Sequence, residues 1–192
     1  MENNKTLPTR EQLILAGAEE LNRYGVGGFS TRRVAKACGL SCAAPYKHFK
    51  DTHAFIGEIF GYVEREFLRE QEEVLRACAG QSTRQQLVAV SMAYIRFLTE
   101  HPTFRSVVMS LFRDCREEYH CLQGQLSVNA AKLVAQYCIE AGIPPETQKR
   151  KTFLIRSLIY SAAMFFDSGE LPYTAENLTM VEKLLDREFD LP

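Results

Sequence analysis

The segment Ser30–Phe49, STRRVAKACGLSCAAPYKHF, holds the residues whose types and spacing suggest chemistry. That chemistry is non-covalent. Two short capped stretches flank Ala37-Cys38-Gly39-Leu40, the layout of a helix-turn-helix. Ser30 is the expected N-cap of the first, with Val34, Ala35 and Cys38 facing inward. Small Ala35 allows a close crossing, Gly39 supplies a backbone conformation that a side chain would oppose, and Leu40 plugs the corner. Ser41 is expected to cap a third helix running to about Phe49, with its amides and dipole aimed at an anionic partner.

Covalent chemistry has no comparable constellation. The chain contains no G-x-S-x-G, Walker A, H-E-x-x-H or G-x-G-x-x-G run, and Glu72-Glu73 and Glu117-Glu118 sit on charged faces. No catalytic set emerges, so an enzyme is not expected. Six cysteines, at 38, 42, 78, 115, 121 and 138, include no C-x-x-C pair and no zinc spacing. They read as free thiols, and no metal or cofactor is expected. Cys42 stands apart: at a helix start near Arg33 and Lys47 its thiol would ionise more readily, so oxidation there would add bulk to the recognition face.

The elements that must position this segment fit a soluble globular chain. Its 192 residues are 46% hydrophobic and 24% charged, enough for a substantial core. No apolar run is long enough to span a bilayer and the polar start MENNKTLPTREQ lacks a signal-peptide core, so the cytoplasm is the expected compartment. The formal net charge of −1 conceals an asymmetry. Residues 1–50 carry eight Lys and Arg against four Glu, a local +4, and the rest carries −5. A phosphate backbone responds to the local value.

Apolar spacing reads as helix almost throughout. The first helix is expected from Thr9, with Thr9 and Gln12 as a capping box, Ile14, Gly17, Ala18 and Leu21 buried, and Gly25 ending it. Asp51 or Thr52 should cap a long helix carrying Phe55, Ile59, Tyr62, Val63, Phe67 and Val74. Further helices are expected over about 82–101, 103–113, 117–141, 146–168 and 174–189. The wide apolar faces of the last two, with Phe153, Leu154, Leu158 and Leu184 among them, read as core plus subunit contact.

On these residues the N-terminal segment resembles the DNA-binding domain of TetR-type repressors. The matching elements are Gly25, Ser30, Arg32, Val34-Ala35, Ala37-Cys38-Gly39-Leu40-Ser41 and Tyr46-Lys47-His48-Phe49. The likeness covers about the first 60 residues; beyond them only length and helix layout agree. It implies an all-α fold: a three-helix DNA-binding domain over 1–52 and a larger ligand-binding and dimerisation domain over 53–192. It implies a homodimer through the last two helices, a palindromic operator on double-stranded DNA, and release by a small hydrophobic effector, with no membrane partner. The alternative is a helix-turn-helix adaptor that binds protein instead of specific DNA.

Residue roles follow from the resemblance. Ser30 and Arg32 would meet phosphate. Ser41, Cys42, Ala43 and Ala44 would face the major groove. Tyr46 would donate to phosphate, Lys47 would contact base or phosphate, and His48 and Lys50 would lie near the backbone. Arg33 stands where the family usually carries an acid, and reads either as an added phosphate contact or as a solvated cation. Ala43 and Ala44 can touch only thymine methyls, so Lys47 and DNA shape would carry specificity. Tyr94, Phe97, His101, Phe104, Met109, Phe112, His120 and Arg156 are the expected effector-pocket residues, Arg156 being the most unusual as a cation within an apolar helix.

Overall fold

A computed structural model describes residues 7–113 and 128–190. These residues form eight α-helices and one 3-10 turn, with no strand among them: α1 (Thr9–Tyr24), α2 (Thr31–Ala37), the turn Pro45–Lys47, α3 (Thr52–Ala77), α4 (Thr83–Glu100), α5 (Pro102–Arg113), α6 (Val128–Glu140), α7 (Pro145–Ser168) and α8 (Ala175–Glu188). They make two compact units. The first holds described residues up to 66 together with 103–113; the second holds 67–102 with 128–190.

In the first unit α1 buries Leu13, Ile14, Gly17, Ala18 and Leu21, the face anticipated from their spacing. Each fully buried Leu or Ile contributes roughly 1.5–3 kcal/mol. Gly17 is a point of close approach: a Cβ there would stand 2.5 Å from Ile59 Cδ1 of α3. Phe49 stacks on Phe55 with centroids 4.0 Å apart, and Phe29 meets Phe55 edge-on at 5.5 Å. This aromatic cluster anchors the far end of the helix-turn-helix segment to α3. The start of α3 is held by Asp51, whose carboxylate accepts from the Ala54 amide at 2.7 Å.

Two expected caps are corrected. The first helix has Pro8, not Thr9, at its N-cap and no side-chain cap bond. The Pro8 carbonyl accepts from Glu11 and Gln12, while the Gln12 side-chain amide reaches Leu7 O at 2.6 Å. The third helix is also shorter than expected: residues 41–44 form turns, Ser41 contributes its carbonyl to the Ala44 amide, and only Pro45–Lys47 is helical, as a single 3-10 turn without a side-chain cap. Pro45 explains this, since it has no amide to donate where the first helical turn would form.

The second unit is built around α4, which packs against α6, α7 and α8. Ser82 and Gln85 form a reciprocal capping box at its start. Phe67 lies against Tyr94 and Phe97, with centroids 4.3 and 5.0 Å away. Arg84 fastens the end of α8, donating to Asp186 Oδ1 at 2.7 Å, Asp186 O at 2.9 Å and Asp190 Oδ1 at 2.5 Å. Buried Lys151 donates to Glu188 O at 2.6 Å. The outer sides of α7 and α8 leave Phe153, Met164, Phe165, Met180 and Leu184 exposed, opposite a buried face of Ile155, Ile159, Phe166, Val181 and Leu185.

Candidate nucleic-acid interface and effector cavity

The turn after α2 is closed by two backbone bonds, Gly39 N to Lys36 O at 3.0 Å and Leu40 N to Ala35 O at 2.9 Å, with Gly39 at φ 70°. This is a Schellman ending, and it needs the left-handed conformation that glycine adopts without strain. At the other end of α2 the Ser30 hydroxyl accepts from the Arg33 amide at 3.4 Å. The short helix is therefore fixed at both ends, and its outward side chains project from a rigid frame.

These side chains border an open concavity of about 480 Å³. Ser30, Arg32, Arg33, Ser41 and Cys42 are among the residues that line it. Lys36 joins the same concavity; sequence reasoning did not assign it, although it follows Arg32 by one helical turn. Arg32 and Lys36 are exposed and have no ion-pair partner among the described residues. Tyr46, Lys47, His48 and Lys50 are exposed beyond, while Pro45 and Phe49 are buried. Ala43 is exposed and Ala44 half-buried.

Arg33 differs from its neighbours. Its Nε donates to Glu20 Oε1 at 2.7 Å, its Nη2 contacts the same oxygen and Gly28 O, and its guanidinium lies 4.3 Å from the Tyr24 ring centroid. Hydrogen bonding to Glu20 raises the guanidinium's affinity for its proton. Arg33 thus lines the concavity while tied to the unit that carries it. Cys42 is an exposed thiol, whereas Cys38 is half-buried and burial pushes its thiol pKa up.

In the second unit a partly open cavity of about 140 Å³ lies among α4, α6 and α7. Leu87, Val134, Ile155 and Ile159 give it apolar walls, and Tyr94, Thr152, Arg156 and Tyr160 give it polar atoms. The Tyr94 and Tyr160 hydroxyls are 3.0 Å apart. Burial pushes the Tyr94 phenol well above its usual pKa, so it stays protonated. An open groove of about 630 Å³ along α7 shares Thr152, Arg156 and Tyr160 with the cavity.

Of the expected effector residues, Tyr94 and Arg156 meet at this cavity. Phe97 is buried against Phe67, and His101 faces Glu70 at 3.4 Å. Phe104 packs near Tyr62 and Met109 is half-buried, both in the first unit. The Phe112 side chain and His120 lie outside the described residues. Thr152 was missed, because a hydroxyl on an apolar face carries no periodic signal of its own. Among the described residues no cluster of His, Cys, Asp and Glu could hold a metal, and no helix is long and apolar enough to cross a membrane.

Residues 13–59 match the family model for bacterial regulatory proteins of the tetR family. The fold is shared with solved structures over nearly the whole chain. One is a TetR family transcription regulator from Marinobacter aquaeolei VT8, with a TM-score of 0.78, 20% identity, and 93% of this chain and 94% of that one covered. Another is a bacterial regulatory protein in the tetR family from Rhodococcus RHA1, with a TM-score of 0.77, 15% identity, and coverage of 96% and 98%. A third, the TetR family transcriptional regulator PfmR from Thermus thermophilus, has a TM-score of 0.63, 17% identity, and coverage of 94% and 96%. At these identities the likeness is one of fold. No curated protein matches the chain by sequence.

Proposed function

We propose that this chain, whose residues 13–59 match the tetR family model and whose fold is that of solved tetR-family regulators, is a ligand-responsive repressor released from a palindromic operator by a small hydrophobic effector. The observation that carries the reading is the concavity bordered by Arg32 and Lys36, two exposed cations without an ion pair among the described residues. Phosphate oxygens are the natural partners of such a pair, and Ser30 and Ser41 add hydroxyl donors beside them. Tyr46 and Lys47, exposed on the 3-10 turn, supply contacts to the groove. Arg33 positions the loop and adds its outer edge to the basic border.

The exposed apolar sides of α7 and α8 support a homodimer, and a twofold dimer matches a palindromic site. The cavity holding Tyr94 and Arg156 is the proposed effector site.

Fluorescence anisotropy with the chain's own upstream DNA tests the reading, using a salt titration and a scrambled duplex as control. Selective binding weakened by Lys47→Ala and Tyr46→Ala supports it. Binding that is equally weak for both duplexes, together with no preferred site in a genome-wide fragment selection, would overturn it in favour of a protein adaptor. Log affinity should fall linearly with log salt, each lost phosphate contact removing about 0.9 from the slope.

A further inference from the structure

We propose that the cavity among α4, α6 and α7 binds a compact organic monocarboxylate, with its carboxylate on Arg156 at the mouth and its apolar part, about the size of one benzene ring, against Leu87, Val134, Ile155 and Ile159. This deepens the effector reading above and rests on it only for the consequence of binding, not for the binding itself.

Three observations converge on that chemistry. The first is size. The cavity volume is about 140 Å³, and an aliphatic cavity of roughly 150 Å³ holds one benzene molecule. The second is charge. Among the described residues Arg156 has no ion-pair partner and no carboxylate lines either space, while the adjoining groove adds Lys149. Arg156 is exposed, so water solvates its charge in the free protein, and a guanidinium fork takes a carboxylate in bidentate fashion where a neutral head group gains no such pair. The third is the arrangement. Thr152, Arg156 and Tyr160 line both the cavity and the open groove, so the two spaces share their polar lining. A ligand seated there meets apolar surface inward and cationic surface outward, the pattern of an amphiphile with one charged end.

The test uses the full chain without DNA. Benzoate, phenylacetate and hexanoate are titrated by calorimetry and thermal shift against benzyl alcohol and benzylamine as uncharged and cationic controls. The acids should bind about tenfold or more tightly than either control. Arg156→Leu should weaken acid binding roughly tenfold to a hundredfold, and Arg156→Lys by less, because lysine keeps the charge but not the fork. Ala130→Leu, which fills the cavity from α6 and leaves Arg156 in place, should abolish acid binding too. Equal binding of benzyl alcohol, wild-type affinity in Arg156→Leu, or no binding by any of the three acids would overturn the proposal. Operator affinity is measured separately with and without the tightest acid. Acid binding that leaves operator affinity unchanged supports this site while sinking effector release by it; intact operator binding with no acid bound sinks this site and leaves the DNA-binding reading standing.

Discussion

Glu20 and Arg33 are joined across two helices by a hydrogen bond of 2.7 Å, and the same carboxylate oxygen accepts from the Ser30 amide at 3.1 Å. One buried acid of α1 thereby holds both the first residue before α2 and a cation on its first turn. Glu20→Ala is expected to cost about 2 kcal/mol, because two donors lose their acceptor. It should also weaken DNA binding although Glu20 itself faces inward. Urea unfolding and anisotropy on the same variant check this. A stability loss with wild-type DNA affinity would show that α2 keeps its position without the clamp.

Gly17 and Gly39 should both resist alanine, for different reasons. At Gly17 the obstacle is steric, the added Cβ meeting Ile59 at 2.5 Å. At Gly39 nothing lies within 4 Å of the added carbon, but φ is 70°. Gly17→Ala should cost about 1–3 kcal/mol and be partly rescued by Ile59→Val. Gly39→Ala should cost about 1–2 kcal/mol, be indifferent to Ile59, and be milder as Gly39→Asn. A double-mutant cycle in denaturant separates the two causes.

Arg84 couples the stability of the second unit to acid. It holds the Asp190 carboxyl below its ordinary pKa of 3.8, chiefly by hydrogen bonding. A depressed folded-state pKa means stabilisation that is present at neutral pH and lost as pH falls past the unfolded value toward the folded one. Thermal melts from about pH 7 to about pH 2 should therefore show a steeper acid-side loss in the wild type than in Arg84→Ala, whose Tm at neutral pH should already be lower. Parallel curves would mean that the contact is not populated in solution.

The exposed side of α7 and α8 should control association. Phe165→Glu combined with Leu184→Lys places charges at two positions whose native residues are 44% and 45% exposed. Sedimentation should show a dimer in the wild type and a folded monomer in the double variant, with operator affinity reduced accordingly. A wild-type monomer at micromolar concentration would refute the twofold arrangement.

The buried faces of α1 and α3 were legible because Ile14, Gly17, Ala18, Leu21 and Phe55, Ile59, Val63, Phe67 repeat at helical spacing. Ser30, Gly39, Asp51 and Ser82 were legible as punctuation because each satisfies a local backbone need. The Arg33–Glu20 contact was not: its partners are 13 positions apart on different helices, and no local pattern marks such a pair. The recognition segment was over-read as a full helix, since Ser41 is a good cap and Pro45 is tolerated early in a helix, yet the missing amide decided for turns. The cavity was half-legible. Arg156 stands out as a charge among apolar neighbours, but Thr152 and Tyr160 look like any other residues of a packed face until α4 and α6 are set beside them.

The brevity of the Pro45–Lys47 turn bears on how this molecule could acquire a new target. Segment 41–48 is pinned by half-buried Leu40 before it and buried Phe49 after it, and Pro45 is its one buried residue. Positions 42, 43, 46, 47 and 48 contribute almost nothing to the core, so they form an interchangeable cassette. On the proposed DNA-binding reading, operator preference can be rewritten there, by transplantation or by drift, without asking the scaffold to fold anew.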